Sequence, residues 1–143
     1  MQTIKADVLK MDRGVYIAHC VSGDFSLGAG LAKKIDEKYD MRYQLFRTYP
    51  FEEGSNTGYV GKALLIGDVF NLVTKEHRYD KVNLDDLRAT LDDMLNQCED
   101  KGIRKLAMPR IGTGHDHLDW NDVSELIEQV FFDSDVEVFI CEL

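Results

Sequence analysis

Two glycine-rich loops are the first candidates for chemistry. Gly28-Ala29-Gly30 precedes a helix-like run, and Gly112-Thr113-Gly114 follows an apolar run. In open α/β sheets, ligands bind beyond the carboxyl ends of the strands, where glycines let backbone N–H groups approach phosphate oxygens. Neither loop has the full Rossmann or P-loop spacing, which disfavours a dinucleotide dehydrogenase or an NTPase. A phosphate pocket and a pair of ordinary turns are the two interpretations that the loops leave open.

Two charged side chains are candidates for catalysis. Lys75 ends the apolar run Val69–Thr74. Burial of a lysine favours its neutral amine, which is a nucleophile, and a lysine that extends into solvent is the alternative. Asp116 follows the second glycine loop, where a carboxylate can act as a base or stabilise positive charge.

Two histidines, His115 and His117, flank Asp116. A metal site and a solvated polar loop are the competing interpretations of this triplet. The sequence has no HExxH motif or cysteine cluster to supply the remaining ligands, so the solvated loop is favoured. We predict no metal and no cofactor.

Alternating strand-like and helix-like runs must position these residues. The predicted strands are Thr3–Leu9, Val15–Val21, the hairpin pair Ala63–Ile66 and Val69–Val73, Arg104–Ile111 and Val136–Cys141. The predicted helices are Leu31–Tyr39, a long helix between an Asn83 N-cap and Gly102, and a helix capped by Asp119, while Met41–Phe51 is ambiguous and more helical than extended. Three helices and about six strands predict a layered α/β fold, with a mainly parallel sheet made mixed by the hairpin.

Composition narrows the class of protein. The 143 residues form one predicted domain, residues 1–143, and the 44% hydrophobic content excludes a disordered chain. A net charge of −9 argues against broad binding to a nucleic-acid duplex, although a local phosphate pocket of N–H groups needs no formal charge. Three cysteines without CxxC spacing, no signal-peptide pattern and no membrane-length apolar run predict a soluble cytoplasmic protein without a membrane partner.

Several segments together carry a family resemblance. They are Asp7 within IKADVL, AHCVSGDFSLGAGLA (Ala18–Ala32), NLVTK (Asn71–Lys75), LDDLRATLDDM (Leu84–Met94), MPRIGTGHDHLDW (Met108–Trp120) and the closing VEVFICEL. In this order and spacing, the chain resembles a macrodomain, of the class that includes terminal ADP-ribose protein glycohydrolase. The resemblance implies a three-layer α/β/α fold around a six-stranded mixed sheet, with ADP-ribose as the ligand in a cleft at the strand ends.

The resemblance also implies roles for individual residues. Lys75 would attack the anomeric carbon of the distal ribose and displace a glutamate or aspartate ester, and Asp116 would act as acid/base and help release ADP-ribose. Asp7 would accept a hydrogen bond from the adenine amino group, and Ser22 would lie near the distal ribose. The full set of implied ligand-binding residues is Asp7, Val8, Ser22, Leu27, Gly28, Ala29, Gly30, Ile111, Gly112, Thr113, Gly114, His115 and Leu143.

The sequence also departs from patterns found in the family. Ala6 replaces a glycine before Asp7, and Cys141 stands where an aromatic residue can cover adenine, a role that Leu143 or Phe139 can take instead. The Asn-Ala-Ala-Asn-like loop of another glycohydrolase class is absent from His19–Ser22, which argues against that class.

Three functions remain open at this point. The first is an enzyme that removes ADP-ribose from acidic side chains, with O-acetyl-ADP-ribose and ADP-ribose 1-phosphate as smaller alternative substrates. The second is a non-catalytic ADP-ribose reader, against which the presence of both Lys75 and Asp116 argues. The third is removal of ADP-ribose from a modified nucleic-acid base, the one form of nucleic acid that the negative charge allows. We expect a monomer in each case.

Overall fold

The structure, a computed structural model, describes residues 1–50 and 58–143. This part of the chain contains six strands and four α-helices. The strands are β1 (Gln2–Lys5), β2 (Tyr16–Ser22), β3 (Ala63–Ile66), β4 (Val69–Lys75), β5 (Lys105–Met108) and β6 (Glu137–Glu142). The helices are α1 (Gly30–Tyr39), α2 (Met41–Thr48), α3 (Leu84–Lys101) and α4 (Trp120–Phe131). The ambiguous segment is therefore a helix as far as Thr48, and its predicted end at Phe51 lies outside the described residues.

The sheet is mixed, as predicted, and has the strand order β1-β6-β5-β2-β4-β3. Every neighbouring pair is parallel except β3 and β4, which form the predicted antiparallel hairpin. Five parallel strands therefore end at one edge of the sheet. Because parallel strands bring their carboxyl ends together, this edge collects the segments that follow each of them.

Helices cover both faces of the sheet. Alternate residues of β4 point to opposite faces: Phe70 and Leu72 join the cluster under α3 and α4, whereas Val69 and Val73 join the cluster under α1 and α2. All four are buried, because a central parallel strand is covered on both sides. The predicted three-layer α/β/α arrangement is confirmed.

Two predicted strands are too long. The prediction of Thr3–Leu9 is wrong after Lys5, because Asp7 caps a single turn of 3-10 helix, Val8–Lys10, and accepts a hydrogen bond from the Leu9 N–H at 2.9 Å. An aspartate offers the backbone this local alternative to a strand. The predicted strand Arg104–Ile111 begins at Lys105 and ends at Met108, because Pro109 has no N–H to continue the ladder.

The long helix α3 has both of its predicted ends. The Asn83 side chain accepts a hydrogen bond from the Asp86 N–H at 2.8 Å, and Gly102 ends the helix with a φ of +70°. This left-handed conformation favours glycine. Within residues 1–50 and 58–143, α3 and the other helices fall short of the combined length and apolar character that crossing a bilayer requires.

Replacing the N-cap of α3 tests its contribution to stability. We expect Asn83→Ala to lower the free energy of unfolding by about 1 kcal/mol, because the Asp86 N–H loses its acceptor. Asn83→Ser is the control, since a serine hydroxyl can accept the same hydrogen bond. Urea denaturation followed by circular dichroism measures both, and equal stabilities of the two variants would contradict the capping role.

Candidate active site

A cleft of about 590 Å³ lies at the carboxyl edge of the sheet. Its walls are the segment from the end of β2 to the start of α1, the end of β4 with the residues that follow, and the loop after β5. The walls thus come from three neighbouring strands of the sheet. Both glycine loops line this cleft, although they lie far apart in the sequence.

The cleft contains an ion pair between the two predicted catalytic residues. Lys75, the last residue of β4, donates from Nζ to Asp116 Oδ1 at 2.7 Å. The side chains are 12% and 14% exposed, so both are largely shielded from water without being sealed from it. The ammonium group and the carboxylate are in direct contact, so a proton can pass between them within one hydrogen bond.

The loop after β2 reaches the cleft through an unusual backbone path. Phe25 and Leu27 both have left-handed φ angles, +51° and +37°, and both are buried. The Phe25 ring packs on Phe46 and Tyr59, with centroids 5.4 and 6.1 Å away. This packing stabilises a conformation that non-glycine residues rarely adopt. The loop then delivers residues 28–30 to the N-terminus of α1, where no side chain caps the first N–H groups.

The loop after β5 is folded around Gly112. Its φ is +76°, and a Cβ at this position would lie 3.0 Å from Leu118 Cδ1. The Leu118 N–H donates to the Gly112 carbonyl at 2.8 Å, and the His117 N–H donates to Gly114 O at 3.2 Å. These bonds fix the turn that carries Asp116. Glycine is favoured at position 112, because the backbone is left-handed there and an added Cβ would press on the Leu118 side chain.

A cysteine thiol lies beside the ion pair. Cys20 lines the cleft and is half-buried. Burial, and then the negative charge of Asp116, raise the pKa of this thiol to about 12, although a hydrogen bond from the Gly112 N–H and the charge of Lys75 oppose the shift. Cys20 is therefore a neutral thiol at physiological pH and is not the nucleophile of the site.

His19 forms a buried polar pair beneath the cleft. Its Nε2 lies 2.6 Å from Asn71 Oδ1, and the Asn71 amide nitrogen donates to the Leu64 carbonyl at 3.1 Å. The amide oxygen therefore accepts, and Nε2 carries the imidazole proton. Burial lowers the pKa of His19 to about 4, although the hydrogen bond to Asn71 opposes the shift. The ring is neutral at physiological pH.

Comparison with known proteins places this cleft in a family. The family model named Macro domain matches residues 18–127. The human protein named ADP-ribose glycohydrolase OARD1 is 32% identical over 98% of this chain and 90% of its own length, and the bovine protein of that name matches equally. The chain belongs to the macrodomain family. The resemblance is thereby confirmed, and the prediction of a hydrolase agrees with the names of these relatives.

Solved structures confirm the macrodomain fold. The macrodomain of Mycobacterium tuberculosis DarG superposes with a TM-score of 0.83 at 21% identity, over 99% of this chain and 97% of its own. A structure of Thermosipho africanus DarTG in complex with ADP-ribose superposes with a TM-score of 0.75 at 18% identity, over 97% of this chain and 40% of that one. At such identities the likeness concerns the fold alone.

Most of the predicted site residues of this macrodomain line the cleft. They are Ser22, Leu27, Gly28, Ala29, Gly30, Lys75, Ile111, Gly112, Gly114, His115 and Asp116. Four others do not line it. Asp7 and Leu143 follow β1 and β6 at the same edge of the sheet, Val8 is buried in the core, and the Thr113 hydroxyl turns back to the Arg110 carbonyl at 2.7 Å. The ligand contacts of all of these residues stay predictions.

The sequence analysis missed two arginines that line the cleft. Arg78 lies just beyond β4, and Arg110 lies two residues before Gly112, the first glycine of the second loop. Arg110 pairs with Glu142 at the end of β6, and its guanidinium lies 5.4 Å from the centre of the Trp120 ring. Its position beside the loop was a usable signal, but no sequence signal pointed to Arg78.

The His115–His117 triplet is not where potential metal ligands gather. Among residues 1–50 and 58–143, Glu76, His77 and Asp80 form a group whose ligand atoms lie within 4.8 Å of one another. Asp80 Oδ2 accepts a hydrogen bond from the His77 N–H at 3.0 Å, so this group closes a turn at the rim of the cleft. The predicted absence of a metal stays a prediction.

The lowered pKa of His19 predicts how stability depends on pH. Between pH 6.5 and about 4, the unfolded chain binds a proton at His19 that the folded chain does not. The free energy of unfolding therefore decreases as the pH is lowered through this window, and His19 accounts for about 3 kcal/mol of that decrease. We expect His19→Gln to be less stable at pH 7 but flatter in this window, as urea titrations at several pH values would show. Equal slopes for the variant and the original chain would contradict the assignment.

Proposed function

We propose that this macrodomain binds ADP-ribose and hydrolyses ADP-ribosyl esters of glutamate and aspartate side chains, releasing ADP-ribose. The observation that carries the proposal is the 2.7 Å contact between Lys75 Nζ and Asp116 Oδ1 inside a cleft walled by two glycine loops. The names of the human and bovine relatives support hydrolysis, and the Thermosipho africanus complex supports ADP-ribose as the ligand.

Backbone groups can bind the diphosphate in this proposal. The first N–H groups of α1 have no side-chain cap, and the N-terminus of a helix carries a partial positive charge. Arg110 lines the same cleft, where its charge is paired with that of Glu142. A diphosphate can therefore bind a chain whose net charge is −9, because the attraction is local and involves N–H groups and few formal charges.

Lys75 serves as the nucleophile. Its ammonium passes a proton to Asp116, and the neutral amine attacks the anomeric carbon of the distal ribose. A C–N bond forms as the C–O bond to the substrate carboxylate breaks, and the electron pair leaves with that carboxylate. Water then attacks the anomeric carbon as the C–N bond breaks, and the amine of Lys75 takes a proton from that water. Asp116 releases its own proton to solvent, which gives ADP-ribose and restores the Lys75–Asp116 ion pair.

The leaving group explains why an ester is the proposed substrate. A carboxylate departs without needing protonation, so the site requires no separate acid for it. O-acetyl-ADP-ribose offers the same leaving group, and ADP-ribose 1-phosphate offers a phosphate in its place. We include both as smaller substrates.

A single chain in a reducing compartment is the proposed working form. The glycine loops, Lys75 and Asp116 all come from one chain, so a monomer suffices. Cys20, Cys98 and Cys141 are free thiols, which agrees with a cytoplasmic location.

Substitution of Lys75 separates catalysis from binding. We expect Lys75→Ala to lower kcat on an ADP-ribosylated glutamate peptide by about a hundredfold or more, with ADP-ribose affinity within about threefold. Lys75→Arg is the matched control for charge, because arginine preserves an ion pair with Asp116 but cannot supply a neutral amine. Both variants should be inactive if Lys75 is the nucleophile. Activity of the Lys75→Arg protein would show that Lys75 contributes only its positive charge and is not the nucleophile.

Asp116→Asn tests the second member of the pair. The amide keeps the size of the side chain but cannot take the proton, so we expect kcat to fall by about a hundredfold while ADP-ribose still binds. Full turnover by this variant would remove Asp116 from the mechanism. Binding without turnover by the unsubstituted chain, on esters of protein and on modified DNA alike, would make it an ADP-ribose reader.

A further inference from the structure

Asp24 lies behind the cleft wall and receives three hydrogen bonds. Its Oδ1 accepts a hydrogen bond from the Ser22 hydroxyl and another, at 3.3 Å, from the Ser26 N–H. Its Oδ2 accepts the Arg78 N–H at 3.1 Å. Burial raises the pKa of Asp24, but the bonds from the Ser22 hydroxyl and the two N–H groups outweigh burial and hold that pKa below its usual range. The group is a carboxylate throughout the physiological range.

The same segment continues the pairing of β2 with β4 beyond its last regular residues. The Gly23 N–H donates to the Lys75 carbonyl at 2.8 Å, and the Asp24 N–H donates to Glu76 O at 3.0 Å. Ser22 is the register partner of Lys75, just after an irregularity in the pairing. The Ser22 hydroxyl is thus held beside the residue that carries the proposed nucleophile.

The bond to Asp24 fixes what Ser22 can offer to a ligand. A serine hydroxyl has one proton and two lone pairs, and here the proton is committed to the carboxylate. The Ser26 hydroxyl lies 3.3 Å from Ser22 Oγ. Ser22 is buried and lines the cleft, so what it presents there is a lone pair. Its bond to a carboxylate strengthens this acceptor, because hydrogen bonds in a chain polarise one another.

We propose that Asp24 is a positioning residue that makes Ser22 a fixed hydrogen-bond acceptor for a hydroxyl group of the substrate. The inference rests on the proposed function, in which Lys75 acts at the distal ribose and its neighbour Ser22 therefore faces that sugar. A ribose hydroxyl can donate to Ser22, whereas a group with only acceptors would meet lone pair against lone pair. Asp24 itself does not touch the ligand.

A double-mutant cycle with two ligands tests the proposal. ADP-ribose carries the distal ribose, and ADP carries the adenosine and diphosphate without it. We expect Asp24→Ala and Ser22→Ala each to weaken ADP-ribose binding by about tenfold in calorimetric titrations, and the double variant to lose about the same factor as each single one. ADP affinity should change less than about twofold, since ADP has no hydroxyl at Ser22.

Two further variants separate positioning from loss of structure. Asp80→Ala removes a carboxylate that accepts the His77 N–H in the adjoining turn but does not contact Ser22. It should leave the preference for ADP-ribose over ADP unchanged. Asp24→Asn keeps the volume of the side chain while its NH₂ group cannot accept, so it should show part of the Asp24→Ala effect if the alanine variant does not fold.

The outcomes of these titrations distinguish the role of Asp24 from the proposed hydrolysis. A product of the two single factors in the double variant, an equal loss of ADP affinity, or the same effect from Asp80→Ala would overturn the role of Asp24. Binding of ADP-ribose without any ester turnover would overturn the proposed hydrolysis but leave the cycle decisive for Asp24. No binding of ADP-ribose by the unsubstituted chain would overturn both.

Discussion

The parallel pairing of β2 between β4 and β5 is the constraint on which the site depends. This pairing brings three strand ends to one edge of the sheet. Lys75 and Asp116, which are 41 positions apart in the sequence, can therefore meet there at 2.7 Å. The two core clusters hold the sheet from both faces, and the carboxyl edge is where the chain is free to form loops. Backbone pairing therefore brings the segments that carry Lys75 and Asp116 together at this edge.

The electrostatics of the cleft are local. Lys75 and Asp116 balance one another, Arg110 is paired with Glu142, and the uncapped N–H groups of α1 add partial positive charge without a cation. The buried groups nearby are neutral: Cys20 keeps its proton because its pKa is raised, and His19 lacks a second proton because its pKa is lowered. In the proposed reaction, the proton that moves is therefore the one shared by Lys75 and Asp116.

Local patterns predicted the elements, and individual side-chain hydrogen bonds explain what they missed. Neighbouring residues determine the hairpin, the Asn83 cap and the apolar run that ends at Lys75, so these features were predictable. The proximity of the two glycine loops was also predictable once a parallel sheet was expected. The early end of β1 was missed because the hydrogen bond that the Asp7 carboxylate accepts from the Leu9 N–H outweighed the strand-like composition of the segment. The hydrogen bonds that Asp24 accepts could not be predicted from the sequence, because one of them comes from the N–H of Arg78, 54 positions away.

Attack at the sugar carbon is the central claim, and an isotope experiment tests it most directly. The macrodomain would hydrolyse an ADP-ribosylated glutamate peptide in oxygen-18 water, and mass spectrometry would read the label in the released glutamate side chain. Attack at the anomeric carbon breaks the sugar–oxygen bond, so both original oxygens stay with the glutamate and its mass is unchanged. One oxygen-18 atom in that carboxylate would mean attack at the ester carbonyl and would contradict the account.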